Sequence, residues 1–464
     1  MSLIVQKYGG TSLGNSERLL GVANIIKDTA NSHSVIVVVS ALSSYTKSEG
    51  TTSRLIEAGN ASIARKDYSQ KLGLIEKVHF DIIENTIQSK ELRQKISTDI
   101  HEELQHLKSF LEAIQVIQEI SPRSQDLIVG TGERLSAQLL AGILQDQGMD
   151  GIYTNLSEIA PLGVQSTDPK FSNKLQKMIE EALPIGKGVI PVVTGFFGFV
   201  TGGIIRGVGR GYTDYTAALI SGKLKAEELQ IWKEVDGIFT ADPNKVPGAH
   251  VLDYIFPNEA AELTYFGSEV LHPFTMECTT AAKVPVRIKN TFAPQKPGTV
   301  IIPKKELPSS APQRSSDKKA TAVTTKNKIS VININSNRMM HSPGFLAKVF
   351  DIFRRHGIVI DLISTSEVNI SCSVDTPNDL TDLKKEFEQL GKVTIIPDRA
   401  ILSLVGDNMK HVPGVAGKMF SALAENEINL EMITQGASEI NISCVIKQKD
   451  AQKALKVIHQ TFLE

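Results

Sequence analysis

Lys7-Tyr8-Gly9-Gly10-Thr11-Ser12 puts a cation just ahead of two glycines. Glycines let backbone N–H groups approach an anion closely. A helix following from about Glu17 would add its positive end. The order is not that of a G-x-x-x-x-G-K-[ST] loop, because the lysine comes first. A plain tight turn also accounts for the Gly-Gly pair. Gly202-Gly203-Ile204-Ile205-Arg206-Gly207-Val208-Gly209-Arg210-Gly211-Tyr212-Thr213-Asp214 sets five glycines around two arginines and ends in an acid. Arg210 among glycines is free to clamp a carboxylate as a bidentate pair. Thr213 or Asp214 also fits the N-cap of a helix through Ala217-Ala218-Leu219-Ile220. This spacing is not G-x-G-x-x-G, so a dinucleotide fold is not supported. Gly130-Thr131-Gly132-Glu133-Arg134 reads as a Gly-rich turn followed by an acid able to grip an ammonium. A first-turn glutamate favourable to the helix dipole is the plainer account. Trp232-Lys233-Glu234-Val235-Asp236-Gly237-Ile238-Phe239-Thr240-Ala241-Asp242-Pro243 follows Ile231 at an expected strand end. Sheets of α/β proteins place ligands there, while Asp236-Gly237 itself reads as a surface turn.

The elements that must position these residues read as an α/β domain. Leu3-Ile4-Val5 is a short apolar strand that breaks into the Gly9-Gly10 loop. Val35-Ile36-Val37-Val38-Val39 is β-branched and unbroken, and Ile190-Pro191-Val192-Val193-Thr194-Gly195 is similar. Such runs suit strands buried on both faces of a parallel sheet. Residues 53 to 120 read as helix-rich, with apolar positions such as Leu104, Leu107 and Leu111 at helical spacing. Alternating strands and helices imply crossover connections. Pro303 to Ala320, with Pro303, Pro308 and Pro312, reads as a linker. Beyond it the chain repeats: His341-Ser342-Pro343-Gly344-Phe345 returns as His411-Val412-Pro413-Gly414-Val415. Asn369-Ile370-Ser371-Cys372 returns as Asn441-Ile442-Ser443-Cys444. Each copy reads as a small βαββαβ unit. The expected divisions are 1–302, a linker 303–320, and repeats at 321–397 and 398–464.

Length and composition agree. The chain has 464 residues, enough for about three domains. Its formal net charge of -1 gives no support for a nucleic-acid or membrane-surface binder. Cys278, Cys372 and Cys444 lie too far apart for a zinc motif or a disulfide framework. No unbroken apolar run reaches the ~20 residues of a membrane span. Met1 to Lys7 carries no basic flank followed by a long apolar core. A soluble, reduced, cytoplasmic protein is the expectation.

Taken together, the motifs resemble aspartate kinases of the amino-acid kinase superfamily, which carry tandem C-terminal ACT domains. Lys7 to Ser12 resembles the family's K-F-G-G-T-S, with Tyr8 for Phe. Ser40 to Thr46 resembles its second loop, and Gly132-Glu133 with Gly209 to Asp214 its substrate segments. Val235 to Pro243 resembles the nucleotide segment, and Phe266-Gly267-Ser268-Glu269-Val270-Leu271-His272-Pro273 with Arg287-Ile288-Lys289-Asn290 completes the kinase half. The repeats resemble the ACT pair, including Asp361-Leu362-Ile363-Ser364-Thr365-Ser366-Glu367-Val368. Many bacterial members have Thr-Asp in place of Lys233-Glu234, lysine in place of Glu269, and arginine in place of Asn244; this chain is closer to the fungal-type subgroup. Lys233 is positioned in sequence to supply the charge missing at 269.

The resemblance implies a three-layer fold with a mainly parallel sheet plus two ferredoxin-like ACT domains. It implies transfer of the ATP γ-phosphoryl group to the β-carboxylate of L-aspartate, the first step of lysine, threonine and methionine biosynthesis. An aspartate side chain with a pKa of ~3.9 is already ionised, so no general base is required. Lys7 and Asp214 are the implied catalytic pair, with Asp214 holding the lysine. Ser40, Thr46, Glu133, Arg210, Gly211 and Thr213 are implied for aspartate. Lys7, Tyr8, Gly9, Gly10, Lys233, Glu234, Phe239, Asp242, Asn244 and Lys245 are implied for ATP with Mg²⁺. Met339, His341, Gly344, Leu346, Asp361, Thr365, Ser366 and Glu367 match the effector loops of lysine-sensitive members, with lysine the first choice of inhibitor and threonine the second. Asp361 and Glu367 are implied to hold an ammonium, while Met339 and Leu346 read more readily as core than as ligand contacts and His341 equally as an ordinary loop histidine. ACT units pair edge to edge, so a homodimer or homotetramer is expected. The competing readings are another acyl-phosphate-forming kinase and an inactive amino-acid-sensing subunit.

Overall fold

The computed structural model describes residues 1–464 except 45, 47, 48, 161–168, 205–207, 210, 266–270, 309–319, 340–342, 377–379 and 439. The chain forms two compact units, Met1–Ile238 with Leu271–Ser309, and Phe239–Val270 with Ser310–Glu464.

In the first unit, strands β1 (Leu3–Tyr8), β2 (Ser34–Val39), β3 (Asp150–Thr154), β4 (Val189–Thr194), β5 (Glu228–Lys233), β6 (Val286–Asn290) and β7 (Thr299–Ile301) lie in the order β3-β4-β2-β1-β5-β6-β7. All pairings from β3 to β6 are parallel, and β7 runs antiparallel to β6. The β-branched runs are central for a physical reason: Val35 to Val39 are buried on both faces. Helices α1 (Ser16–Ala30), α2 (Thr51–Ile63), α3 (Ser69–Thr86), α4 (Lys90–Ile117) and α5 (Pro122–Asp146) contribute Leu19, Val22, Leu55, Leu111, Leu139 and their neighbours to one core with Val37 and Val39. The unit also holds α6 (Pro169–Ala182), α7 (Tyr212–Lys223) and α8 (Pro273–Ala282). Strand β1 has β2 on one side and β5 on the other, so chain order reverses there, and ligand crevices form at the carboxyl ends of such strands. Helix α5 is long and apolar enough to cross a membrane by length and composition, but its most apolar window is 89% buried in this unit, as expected for a core helix.

The second unit is built on one six-stranded antiparallel sheet. Strands β8 (Ala322–Asn335), β9 (Ile360–Thr365), β10 (Asn369–Asp375), β11 (Lys392–Val405), β12 (Met432–Gln435) and β13 (Asn441–Lys447) lie in the order β9-β10-β8-β11-β13-β12. Helices α9 (Phe345–Arg355), α10 (Thr381–Glu388), α11 (Val415–Glu425) and α12 (Ala451–Phe462) complete the two repeats. The repeated Pro-Gly has a conformational cause. Gly344 (φ 84°) and Gly414 (φ 88°) both enter their helices from the left-handed region, which side-chain-bearing residues avoid.

The repeats are interleaved. Ile329 to Asn335 of β8 pair with the first part of β11, whereas Ala322 to Lys326 pair with Ile401 to Val405. The strand closing the second repeat therefore precedes the first repeat in sequence, and the expected boundary at 397/398 falls inside β11. The segment Phe239–Val270, which the sequence reading included in 1–302, packs in this second unit. Ala241 and Val246 join the core of the second repeat. Thr240 Oγ1 lies 2.9 Å from His459 Nε2. Buried Glu259 accepts from the Asp407 N–H at 2.8 Å and from the Thr321 hydroxyl. Within the expected linker, Lys304–Glu306 forms a short 3-10 turn, residues 309–319 lie outside the described residues, and Ala320 is already buried. The three cysteines are free thiols, pushed up to about 11 (Cys278) and about 12 (Cys372 and Cys444) by burial.

Candidate active site

Lys7 lies at the carboxyl end of β1, in register with Val38 of β2 and Ile231 of β5. Its Nζ is 2.7 Å from Asp214 Oδ1, and each side chain is 10% exposed. A buried charge of this kind needs its partner. Asp214 is in the first turn of α7, whose N-cap is Gly211 with no side-chain cap bond. The N-cap role considered for Thr213 or Asp214 is therefore not taken up; both point into the site. Burial pushes the Asp214 carboxyl up, but Lys7, Lys233 and His272 outweigh it and hold the group below its ordinary value.

The loop after β1 lies directly on the loop after β2. A Cβ at Gly10 would stand 2.3 Å from the Ala41 carbonyl oxygen, and the Ser43 N–H donates to the Gly10 carbonyl at 3.0 Å. Above Gly9 there is room: the nearest atoms to a Cβ there would be Lys7 Nζ at 3.8 Å and the Trp232 carbonyl oxygen at 3.9 Å. The Gly9 N–H makes only a long 3.5 Å contact with that carbonyl. Residues Gly10–Leu13 form a 3-10 turn, and α1 starts later, at Ser16, with Asn15 capping it through the Arg18 N–H. The expected α1 dipole therefore does not begin at the glycines; the turn amides do. Tyr8 is fully buried and stacks on Trp232 at 5.9 Å, so only its backbone can face a ligand.

Glu133 does not follow a turn. Gly130 and Gly132 lie inside α5, where a Cβ would collide with the Phe196 ring at 2.3 Å and with Ala41 Cβ at 2.7 Å. The glycines serve close packing, and that packing delivers Glu133 to the strand ends. The Thr213 hydroxyl donates to Glu133 Oε1 at 3.1 Å, while Oε2 is buried with no hydrogen-bond partner. Burial pushes the Glu133 carboxyl up to about 7, against the pull of Tyr212, Thr213, Phe196 and Lys7. One carboxylate paired with a lysine and one acid with an unpartnered oxygen thus stand near the same cation.

The other expected residues divide. Ser40 continues β2, its N–H donating to the Tyr8 carbonyl at 3.1 Å. Thr46 is exposed, and its carbonyl accepts from the Glu49 N–H at 2.9 Å within its own loop. Arg210, Glu269 and His341 lie outside the described residues. Lys233 and Glu234 end β5 in the first unit, while Phe239, Asp242, Asn244 and Lys245 belong to the second. There Asp242 accepts from the Asn244 N–H at 3.0 Å and pairs with Lys245 at 2.9 Å. Sequence reasoning missed His272, which borders Asp214 and covers Gly209 and Gly211. Its position before Pro273 signalled only a helix start. A groove of about 410 Å³ between α4, α5 and β3, lined by Asp99, Glu102, His106, Gln138 and Tyr153 among others, contains none of the expected site residues.

In the second unit, Met339 packs against the core of the first repeat, but Leu346 is 36% exposed and is not core, because α9 turns it outward. Asp361 is nearly buried, and its ammonium partner is already present: Lys326 Nζ at 2.7 Å, shared with Asp375 at 3.0 Å. Thr365, Ser366 and Glu367 are exposed at the tip of the β9–β10 hairpin. Asp361 lies within β9 and Glu367 in the turn beyond its end, and the extended stretch from Asp361 to Thr365 alone spans about 13 Å. Within one chain they do not hold the same ammonium.

Residues 2–290 match the amino acid kinase family, and residues 332–378 and 402–462 match the ACT domain. An aspartokinase of Candida albicans is 46% identical over 99% of this chain and 90% of its own length. The Saccharomyces cerevisiae aspartokinase is 43% identical over 99% and 92%. Among solved structures, E. coli aspartokinase III in complex with aspartate and ADP (R-state) superposes with a TM-score of 0.80 at 28% identity, covering all of both chains. The same enzyme in complex with lysine and aspartate (T-state) gives 0.78.

Proposed function

Because the chain belongs to the aspartokinases of the amino acid kinase family, we propose that it transfers the γ-phosphoryl group of ATP to the β-carboxylate of L-aspartate, giving 4-phospho-L-aspartate and ADP. The observation that carries this reading is the buried Lys7–Asp214 pair at the switch point, with the orphaned Glu133 oxygen close by. The nucleophile is ionised at neutral pH, so the chain's task is to bring two anions together and stabilise the spreading charge. Lys7 supplies the cation, and Asp214 holds its Nζ at the strand end. The amides of Gly9 and Gly10 border the same space and add fixed dipoles. Glu133 Oε2 takes the α-ammonium of aspartate, and Arg210 its α-carboxylate. Gly211 and Thr213 form the floor, with Ser40 and Thr46 contributed by the second loop. Mg²⁺ enters with ATP, held by the phosphates and water. Among the described residues no three His, Cys, Asp or Glu side chains gather for a cage.

A hydroxamate assay with ATP, Mg²⁺ and L-aspartate, repeated with L-glutamate and N-acetylglutamate, tests the reading. Product is expected with L-aspartate alone. Equal product with N-acetylglutamate, which has no free ammonium, would remove Glu133 from its role and overturn the substrate assignment. Arg210→Ala is expected to raise the aspartate KM at least tenfold and to lower kcat, leaving the ATP KM within twofold in initial-rate kinetics.

For regulation, the reading is inhibition by an amino acid, lysine first and threonine second, bound where ACT edges of two copies meet. Strands β9 and β12 are the edge strands of their sheet, and within the chain Leu362 of one and Met432 of the other share a small core; edge strands invite pairing with those of another copy. Asp361, occupied by Lys326, and Glu367, at the hairpin tip, come to one ligand only across such an interface. Titrating lysine and threonine separately into the kinase assay is expected to give inhibition by one of them, lost in Glu367→Gln. Insensitivity to both would leave the ACT pair without this effector role.

A further inference from the structure

Helix α5 holds the glycine-rich segment before α7 at two points. Near the start of the helix, Asp126 is 1% exposed, and its carboxylate accepts from the Ile204 N–H through both oxygens, at 2.9 Å and 2.8 Å. Two turns on, Glu133 accepts from the Thr213 hydroxyl at 3.1 Å. Residues seven apart share one helix face and lie about 10 Å apart along the axis. Between them Gly130 admits the Phe196 ring, which meets the Tyr212 ring edge-on at 6.4 Å. Ile204 is the fixed post at the near end. Its N–H is held by Asp126, and its carbonyl accepts from the N–H groups of Val208 and Gly209 at 2.9 Å and 3.0 Å. The Gly209 carbonyl accepts in turn from the Tyr212 N–H at 3.3 Å, at the first residue of α7. The chain arrives at Ile204 through Gly202 (φ 87°) and Gly203 (φ 91°), a backbone shape closed to ordinary residues. A Cβ at Gly203 would stand 3.2 Å from Pro122 Cβ, so the segment lies directly on α5. A buried carboxylate is costly unless it is hydrogen-bonded. Charge-assisted bonds are roughly twice as strong as neutral ones, so this acceptor fixes position 204 more firmly than neutral backbone bonds would.

We propose that Asp126 is a positioning residue for aspartate binding: by gripping the Ile204 N–H it anchors the near end of the segment whose far end presents Thr213 and Asp214. This rests on the reading of that segment as part of the aspartate site. Asp126 touches no reacting atom; it acts through the backbone that carries those that do. Its signature is accordingly a selective change in aspartate affinity.

Three variants of the full chain test this. Asp126→Ala leaves the Ile204 N–H without its acceptor and is expected to raise the aspartate KM about tenfold, with the ATP KM within twofold of the parent. Asp126→Asn keeps an acceptor oxygen but not the charge, so its aspartate KM is expected to rise about threefold, between the parent and the alanine variant. Initial rates are taken below the Tm of each variant, so that lost stability does not enter the comparison. An unchanged aspartate KM in Asp126→Ala, with only the Tm lowered, makes Asp126 a residue of stability alone and overturns the proposal. An equal rise in both KM values overturns it too, as does an asparagine variant no better than the alanine one. Arg210→Ala separates the two levels: an unchanged aspartate KM there refutes the reading of the segment itself. A raised KM there with a normal one in Asp126→Ala refutes only the positioning role. If Asp126→Ala does not fold, Asp126→Asn decides alone, and an unchanged aspartate KM in it counts against the proposal.

Discussion

Lys7→Ala is expected to reduce turnover at least 10²–10³-fold, the range found when one preorganised group that stabilises transition-state charge is removed. The buried ion pair adds a second effect. Without Lys7 the Asp214 carboxylate stays in a site where each side chain is only 10% exposed. Removing one partner of a buried pair costs about 3–5 kcal/mol because the other charge is left uncompensated. The single variant should therefore lose both turnover and thermal stability. The double variant Lys7→Ala/Asp214→Asn removes the stranded charge, so it should regain most of the Tm while remaining inactive. The two readouts separate a lysine that does chemistry from one that merely fills a buried site. Recovered activity in the double variant, or retained activity in the single one, removes Lys7 from the reaction.

The second large effect concerns Glu133. Its folded-state pKa of about 7 is above the ordinary 4.5. Stability linked to this group is full below about 4.5 and is lost as pH rises through about 7, because the unfolded chain releases the proton first. A shift of that size corresponds to about 3 kcal/mol forgone at pH 8. Glu133→Gln, which has no charge to bury, should therefore raise the Tm at pH 8 and leave it nearly unchanged near pH 4.5. The same substitution should raise the aspartate KM on the order of 100-fold, since the ammonium loses its counter-charge. In the parent enzyme kcat/KM for aspartate should rise with pH through about 7 as the carboxyl ionises, and the variant should lack that rise. A variant that is more stable at pH 8 yet binds aspartate normally would mean that Glu133 is a burial problem and nothing more.

The difference between what sequence conveyed and what it concealed is instructive at individual residues. Lys7, Gly9 and Gly10 were legible as an apolar strand that breaks into a glycine turn, which is where the structure has them. Glu133 was singled out as an acid after a Gly-rich turn, and that setting was misread. Gly130 and Gly132 resemble turn residues, and only contact with Phe196 and Ala41 explains their place inside a helix. His272 was illegible because a histidine before a proline suggests a cap, and nothing local places its ring against Gly209 and Gly211. Asp361 was read as free for a ligand, since nothing local announces Lys326 on another strand. The repeats were visible in their matching Pro-Gly and Asn-Ile-Ser-Cys segments. Their sharing of β8 and β11 was not, because strand pairing across the sheet leaves no periodic trace.

That sharing makes the ACT half indivisible. Severing the chain at residue 397 would take Ala322 to Lys326 away from the later repeat they serve, while Lys392 to Ile396 would stay with the earlier one. A tug on either hairpin, β9–β10 or β12–β13, is transmitted along the same two backbones. Mutational drift in one copy must therefore stay compatible with the other, and the tandem would have to be inherited, transplanted or engineered as a whole.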